Sequence, residues 1–105
     1  MLMINSSFHE RLALYCMLLS KPMAKLPKYF LKIMKLDFKP EEKRPALFID
    51  YRNSIQLELA EIIRLIKNIC FSLNISYPET EKMGEEIDKR KKEEFIEKYP
   101  NEPWV

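Results

Sequence analysis

Hydrophobic and polar positions divide the chain into four segments with helical periodicity. In the first, almost every residue from Arg11 to Leu19 is apolar, which predicts a helix over Phe8–Leu19 that is buried on most of its faces. Ser7 and Glu10 have the Ser-x-x-Glu spacing of a capping box. The pattern therefore places the beginning of this helix near Phe8.

A second helix is predicted over Pro27–Phe38. The segment Ser20-Lys21-Pro22 is expected to break the chain before it, because proline disrupts a helix interior. Pro27 suits a first helical turn, where its missing N–H has no partner to lose. Pro40 disfavours helical geometry at Lys39 and so ends the helix.

A row of lysines accompanies this second segment. The lysines are spaced 4, 3, 4, 3 and 4 residues apart, which puts them on one helical face. They are Lys21, Lys25, Lys28, Lys32, Lys35 and Lys39. Apolar residues such as Phe30 and Ile33 take the other faces. The pattern predicts a basic amphipathic helix.

The longest helix is predicted over Pro45–Leu73, with Asn74 and Pro78 as stop signals. Its apolar residues have the 4, 3, 4, 3, 4 spacing of a packing seam. The seam comprises Ile55, Leu59, Ile62, Ile66, Ile69 and Leu73. It is expected to pack against the first two helices and to complete a bundle, and a homo-oligomeric coiled coil is the alternative.

The C-terminal segment differs in kind, because Thr80–Tyr99 is mostly charged with scattered apolar positions. It predicts a solvated helix supported by i,i+4 ion pairs, followed by an extended tail whose Trp104 either packs on its own bundle or anchors a partner. The predicted fold is all-α: a three-helix bundle over residues 1–76, with an additional charged C-terminal helix and extended tail over residues 77–105.

The amino-acid composition of the chain argues against several classes of protein. A single glycine in 105 residues argues against Gly-rich phosphate loops and tight hairpins. No apolar run approaches the roughly 20 residues that a membrane-spanning helix needs. The net charge is +2, but residues 1–52 contain ten basic and five acidic side chains, and the remainder contains eight and eleven. The basic front half favours an acidic partner.

Groups that could perform chemistry are sparse. His9 is the single histidine, and its place on an exposed first turn does not suggest a catalytic base. Cys16 and Cys70 lie in apolar runs, where buried, reduced thiols are expected. Glu58 and Glu61 have the helical spacing of metal-binding carboxylates, but no other helix supplies matching ligands, so both are expected to face solvent. The chain is therefore predicted to be neither an enzyme nor a metal protein.

The row of lysines allows more than one interpretation. Surface helices carry lysines for solubility alone. Six lysines in register, beside Tyr29 and Phe30, also fit the phosphates of a nucleic acid, an anionic membrane surface or an acidic protein. A small basic helical protein that binds nucleic acid or an anionic membrane through this row is the alternative function.

Two short motifs resemble those of the LYR-motif family of small three-helix mitochondrial proteins. Leu14-Tyr15-Cys16, followed by Met17-Leu18-Leu19, resembles the Leu-Tyr-Arg signature of the first helix, with Cys16 standing where the family has arginine. Met34-Lys35-Leu36-Asp37-Phe38-Lys39 is similar to the family's pattern near the end of the second helix, a basic residue followed by Phe38 and another basic residue. Leu47-Phe48-Ile49-Asp50-Tyr51-Arg52 resembles the small succinate dehydrogenase assembly factors of this family.

The resemblance implies a non-enzymatic role. Family members are accessory subunits or assembly factors of respiratory complexes, or serve iron–sulfur delivery or the mitochondrial ribosome. This implies a location in the mitochondrial matrix or at the matrix face of the inner membrane.

Many members bind the mitochondrial acyl carrier protein, whose acyl-phosphopantetheine enters the bundle while its acidic helix meets basic residues outside. The chain would have no cofactor of its own. Here the residues that the resemblance assigns to the motif are Leu14, Tyr15, Cys16 and Phe38. The residues that would supply the basic face are Lys28, Lys32, Lys35, Lys39, Lys43 and Arg44.

Overall fold

The structure, a computed structural model, describes residues 6–103. In that range the chain is all-α, with three α-helices and no strand. Helix α1 spans Ser6–Met34, α2 spans Arg44–Ser72 and α3 spans Tyr77–Lys98. Two short 3-10 helices, Leu36–Phe38 and Glu41–Lys43, connect α1 to α2. The chain divides into two compact units, Met1–Ile69 and Cys70–Val105.

The first two predicted helices are a single helix, so the predicted count of four helices is wrong. Helix α1 continues through Pro22 and Pro27, and Pro27 does not begin a helix. The bundle predicted over residues 1–76 therefore has two α-helices, not three, in the part of that range that the structure describes. The charged C-terminal segment is the third helix of the chain, and there is no fourth among residues 6–103.

A stripe of buried and half-buried side chains explains why α1 continues. This inner stripe of α1 recurs at intervals of 4 and 3 residues over the length of the helix. It comprises Phe8, Leu12, Tyr15, Leu19, Pro22, Leu26, Tyr29 and Ile33. Each internal proline costs a hydrogen bond, but a break would interrupt this stripe at Pro22, which is itself buried. Burial of the stripe therefore outweighs the local effect of proline. The other faces are open, since Leu14 and Met17 are exposed, and the prediction of a helix buried on most faces is wrong.

Helices α1 and α2 form an antiparallel hairpin within the first unit. The Lys25 ammonium lies 3.7 Å from the Glu58 carboxylate. Farther along α1, the Lys32 ammonium lies 5.7 Å from the centre of the Tyr51 ring. Later residues of α1 thus face earlier residues of α2, which establishes the antiparallel direction.

Five of the six residues of the predicted seam are half-buried, namely Ile55, Ile62, Ile66, Ile69 and Leu73. The inner stripe of α2 also includes residues outside that seam. It comprises Leu47, Tyr51, Ser54, Glu58, Ile62, Leu65 and Ile69. Leu65 is completely buried, whereas Leu59 of the predicted seam is 45% exposed. The apolar pattern did not identify Ser54 and Glu58 as residues of the inner stripe, because both are polar. Glu58 was expected to face solvent, but its side chain is only 17% exposed and Lys25 balances its charge.

Arg44 holds the connection between α1 and α2 in place. Its guanidinium donates from Nη2 to the carbonyl of Asp37 at 3.0 Å and from Nε to the carbonyl of Lys39 at 3.1 Å. Lys39 itself is extended, at φ −95° and ψ 157°, as expected for a residue before proline. These bonds satisfy two carbonyls that no helix uses.

Replacing Arg44 by alanine is expected to lower the free energy of unfolding by about 1 kcal/mol, because both bonds to the connection are lost. Urea denaturation followed by circular dichroism at 222 nm measures this change. Lys43→Ala removes an adjacent positive charge without removing these bonds, so it is the matched control. Equal effects of the two substitutions would contradict the anchoring role of Arg44.

Asn74 ends α2 as predicted. It adopts a left-handed conformation at φ 56°, the Ile75 N–H donates to the Cys70 carbonyl at 2.8 Å, and the Asn74 N–H donates to the Phe71 carbonyl at 3.3 Å. This pair of bonds is a Schellman motif, in which asparagine tolerates the left-handed position.

Helix α3 begins earlier than predicted, because Ser76 caps it. The Ser76 hydroxyl accepts from the Glu79 N–H at 3.3 Å, and Pro78 lies in the first turn, where proline is tolerated. Pro78 therefore starts a helix rather than only stopping one. In this helix Arg90 pairs with Glu94 at 4.0 Å, an ion pair of the i,i+4 kind. Trp104 lies outside the described residues.

Candidate functional site: the two sides of the hairpin

One side of the hairpin carries the lysines, and we call it the lysine side. Helix α1 is continuous over Ser6–Met34, so Lys21, Lys25, Lys28 and Lys32 share one helical face as predicted, whereas Lys35 and Lys39 lie beyond the end of this helix. Each of the lysines within the helix comes immediately before a residue of the inner stripe. The lysines are Lys21, Lys25, Lys28 and Lys32, and Lys35 follows the end of the helix. They form a basic row along the edge of the hairpin.

Two lysines of the row also contact α2. Lys25 pairs with Glu58, and the Lys32 ammonium lies over both the Tyr29 ring, at 5.5 Å, and the Tyr51 ring, at 5.7 Å. Such contacts contribute about 0.5–1 kcal/mol each at exposed positions. Lys25 and Lys32 therefore stabilise the hairpin in addition to contributing charge.

The other side of the hairpin carries exposed apolar side chains, and we call it the apolar side. These residues come immediately after residues of the inner stripes. They are Met23, Phe30 and Met34 on α1 and Phe48, Leu59 and Ile63 on α2, all of them exposed. The exposed residues of this side form one column along each helix. Arg52, which follows Tyr51, lies in the column of α2 and is exposed.

The two apolar columns face the same side because the helices are antiparallel. One step along a right-handed helix turns the side chain by about 100°. Seen from one end of the hairpin, α1 runs away from the viewer and α2 runs towards the viewer, so equal steps turn their side chains in opposite senses. The two inner stripes point at each other. Rotation in opposite senses from these stripes therefore brings the next residue of each helix to the same side of the hairpin. Residues before the inner stripes, including the lysines, lie on the opposite side.

The structure does not bring the LYR-like residues together. Leu14 lies on the lysine side, Tyr15 belongs to the inner stripe, and Cys16 lies on the apolar side, exposed and with a free thiol. Phe38 is 87% exposed in the connection beyond the end of α1. The length of helix from Tyr15 to Met34 alone is about 30 Å at 1.5 Å per residue, so Phe38 is remote from the other three.

The basic residues after α1 cluster around the connection. Lys39 follows the first 3-10 helix, Lys43 ends the second, and Arg44 begins α2. Lys39 and Lys43 are exposed, whereas Arg44 is half-buried and uses its donors on backbone carbonyls. Lys28, Lys32, Lys35, Lys39 and Lys43 thus lie at one end of the hairpin, where Asp37, Glu41 and Glu42 are also exposed, and Arg44 is partly structural.

Chemistry-bearing groups show little perturbation. Hydrogen bonds from Arg64 hold the pKa of the Glu61 carboxyl below its ordinary value, and the charge of Arg64 acts in the same direction. Cys70 is a buried free thiol as expected, whereas the expectation of a buried Cys16 is wrong. Residues 6–103 contain no cluster of histidine, cysteine or carboxylate side chains suited to a metal ion, and no ligand-sized cavity is found there.

Sequence reasoning missed the apolar side and the role of Glu58. A three-residue pattern in the sequence could have indicated the apolar side: a lysine, then a residue of the inner stripe, then an exposed apolar residue. It occurs as Lys21-Pro22-Met23, Lys28-Tyr29-Phe30 and Lys32-Ile33-Met34. Its repetition at helical intervals indicates a helix with a buried stripe between two different exposed faces.

The fold and these surfaces define an all-α protein with a basic antiparallel helical hairpin. No described helix is long and apolar enough to cross a membrane. Comparisons with protein-family models, with curated proteins and with solved structures find no match.

Proposed function

We propose that this chain is a non-catalytic LYR-type adaptor, acting as an accessory subunit or assembly factor of a respiratory-chain complex, or in iron–sulfur or mitochondrial-ribosome assembly. The observation that carries the proposal is the two-sided hairpin. Lysines in a row favour an acidic partner on one side, and a cluster of exposed apolar side chains on the other is typical of a protein contact. A chain with two such sides is suited to being held between partner proteins. Its place would be the mitochondrial matrix or the matrix face of the inner membrane.

The mitochondrial acyl carrier protein is the proposed partner of the lysine side. Its acidic helix would lie against Lys28, Lys32 and Lys35, and the basic residues of the connection would extend the contact. Cys16 offers no charge where the family has arginine, so the lysines would supply the electrostatic attraction by themselves. The bound carrier would present acyl-phosphopantetheine.

Reversing two charges of the row tests this contact. Lys28→Glu with Lys35→Glu leaves the contacts of Lys25 and Lys32 with α2 intact and is expected to weaken carrier-protein binding at least about tenfold, because like charges then oppose each other. Isothermal titration of the purified chain with apo and acylated carrier protein measures the change.

The matched control is Lys89→Glu with Lys92→Glu, which changes the net charge equally on α3. It is expected to alter the affinity by less than about threefold in physiological salt, because neither residue belongs to the lysine side and long-range effects of net charge are screened. Absence of wild-type binding to either form of the carrier, or equal losses in the two double variants, would sink the carrier-protein part of the proposal.

The alternative function, binding of nucleic acid or an anionic membrane, uses the same lysines and is tested with the same variants. Its support is the basic row itself. DNA affinity falling with salt at a log–log slope of several units, and lost in the Lys28/Lys35 variant, would favour it.

A further inference from the structure

The apolar side has the dimensions of a groove for one helix. On α1 its exposed residues extend from Met23 to Met34, and on α2 they extend from Phe48 to Ile63. At 1.5 Å per residue these columns are about 17 and 22 Å long, which corresponds to three to four turns of a docked helix. Two parallel columns of large side chains are the surface that accepts an amphipathic helix. The two methionines on α1 are flexible enough to adapt to its apolar residues.

The charges around this groove select its occupant. Arg52 stands within the α2 column, while Asp50 and Glu61 lie towards the lysine side and Glu58 is engaged by Lys25. Among residues 44–69 the apolar side therefore has a basic residue and no carboxylate. In two copies placed face to face, neither apolar side would supply a carboxylate to pair with Arg52 of the other copy. A helix with carboxylates beside its apolar stripe would place one near Arg52 instead.

We propose that the apolar side binds an amphipathic α-helix of another protein, about four turns long, whose apolar stripe is flanked by glutamate or aspartate. This site is separate from the lysine side and does not depend on carrier-protein binding. It supplies the second of the two contacts that an adaptor needs.

A designed peptide tests the proposal on the full chain. The probe is a fluorescein-labelled helix of about 18 residues with leucines at i, i+3, i+4 and i+7 and glutamates beside them, and the control peptide has lysines in place of the glutamates. Fluorescence anisotropy is expected to show binding of the glutamate peptide that is at least about tenfold tighter than that of the lysine peptide.

Two leucines on α2 make a matched pair of variants. Leu59 lies on the apolar side and Leu57 lies on the lysine side, and both are exposed. Leu59→Asp is expected to weaken binding of the glutamate peptide at least about tenfold, whereas Leu57→Asp is expected to change it less than about threefold. Met23→Glu repeats the test from α1 if Leu59→Asp loses its helical circular dichroism. Arg52→Glu is expected to remove the preference for the glutamate peptide.

The contrary outcomes are distinct. Equal affinity for both peptides, or equal losses in Leu57→Asp and Leu59→Asp, would overturn the site. Sedimentation of the wild-type chain as a dimer that Leu59→Asp dissociates and Leu57→Asp does not would replace the proposed occupant by a second copy of the chain. A failure of carrier-protein binding leaves these measurements unaffected, so the two proposals fail separately.

Discussion

Leu65→Ala is expected to lower the free energy of unfolding by about 3 kcal/mol, the typical cost of truncating a fully buried leucine. Leu65 has no exposed surface, and the other buried apolar side chains among the described residues are few: Phe8, Pro22 and Cys70. In so small a core the cavity has few neighbours that can relax to fill it. Since small domains are only marginally stable, much of the variant is expected to be unfolded at 37 °C.

Urea denaturation at 222 nm measures this loss, and Leu57→Ala is the control on the same helix. Leu57 is 72% exposed, so its truncation is expected to change stability by less than about 0.5 kcal/mol. A similar cost for the two substitutions would show that the inner stripe of α2 is not centred on Leu65.

Pro27→Ala is expected to raise the free energy of unfolding by about 2 kcal/mol. Pro27 lies inside α1 and is exposed, so alanine restores the backbone hydrogen bond to the Met23 carbonyl without a loss of packing. The greater flexibility of the unfolded variant offsets a part of this gain.

Pro45→Ala is the control for this substitution. Pro45 lies in the first turn of α2, where the N–H has no helical acceptor, so no gain is expected there. The thermal midpoint and the urea midpoint should both rise for Pro27→Ala alone. A neutral or destabilising Pro27→Ala would indicate that a helix begins at Pro27, as the sequence suggests, and that α1 is not continuous.

Local signals predicted much of the fold. Pro45 and Asn74 mark the two ends of α2 because each acts through its own backbone geometry, independently of distant residues. The high charge of residues 80–99 predicted α3 as a helix, although the Ser76 cap moved its beginning. Pro22 and Pro27 led to a wrong prediction of two separate helices. The free-energy cost of each proline within a helix is outweighed by burial of a stripe that extends over the whole of α1, and such tertiary burial is not a local property of the sequence.

The site was predicted in part. The spacing placed the lysines from Lys21 to Lys32 correctly on one helical face but not Lys35 and Lys39, which lie beyond α1. The binding role of the lysines stays a prediction. The apolar side could not be found from either helix alone, since it arises only when Phe30 and Leu59 are brought to the same side by antiparallel packing. The half-buried position of Glu58 likewise involves a partner from another helix, since Lys25, with which it pairs, is 33 residues away in the sequence.

The hairpin is a single layer of helices, and the thickness of this layer determines the distance between partners bound to its two sides. Since the lysine side and the apolar side lie back to back, partners bound to them would be separated by roughly one helix diameter, about 10 Å. That thickness is close to the Debye length at physiological ionic strength, about 8 Å. Negative charge brought to one side would therefore still weaken the field at the other, and two acidic partners would bind with mutual antagonism that added salt relieves.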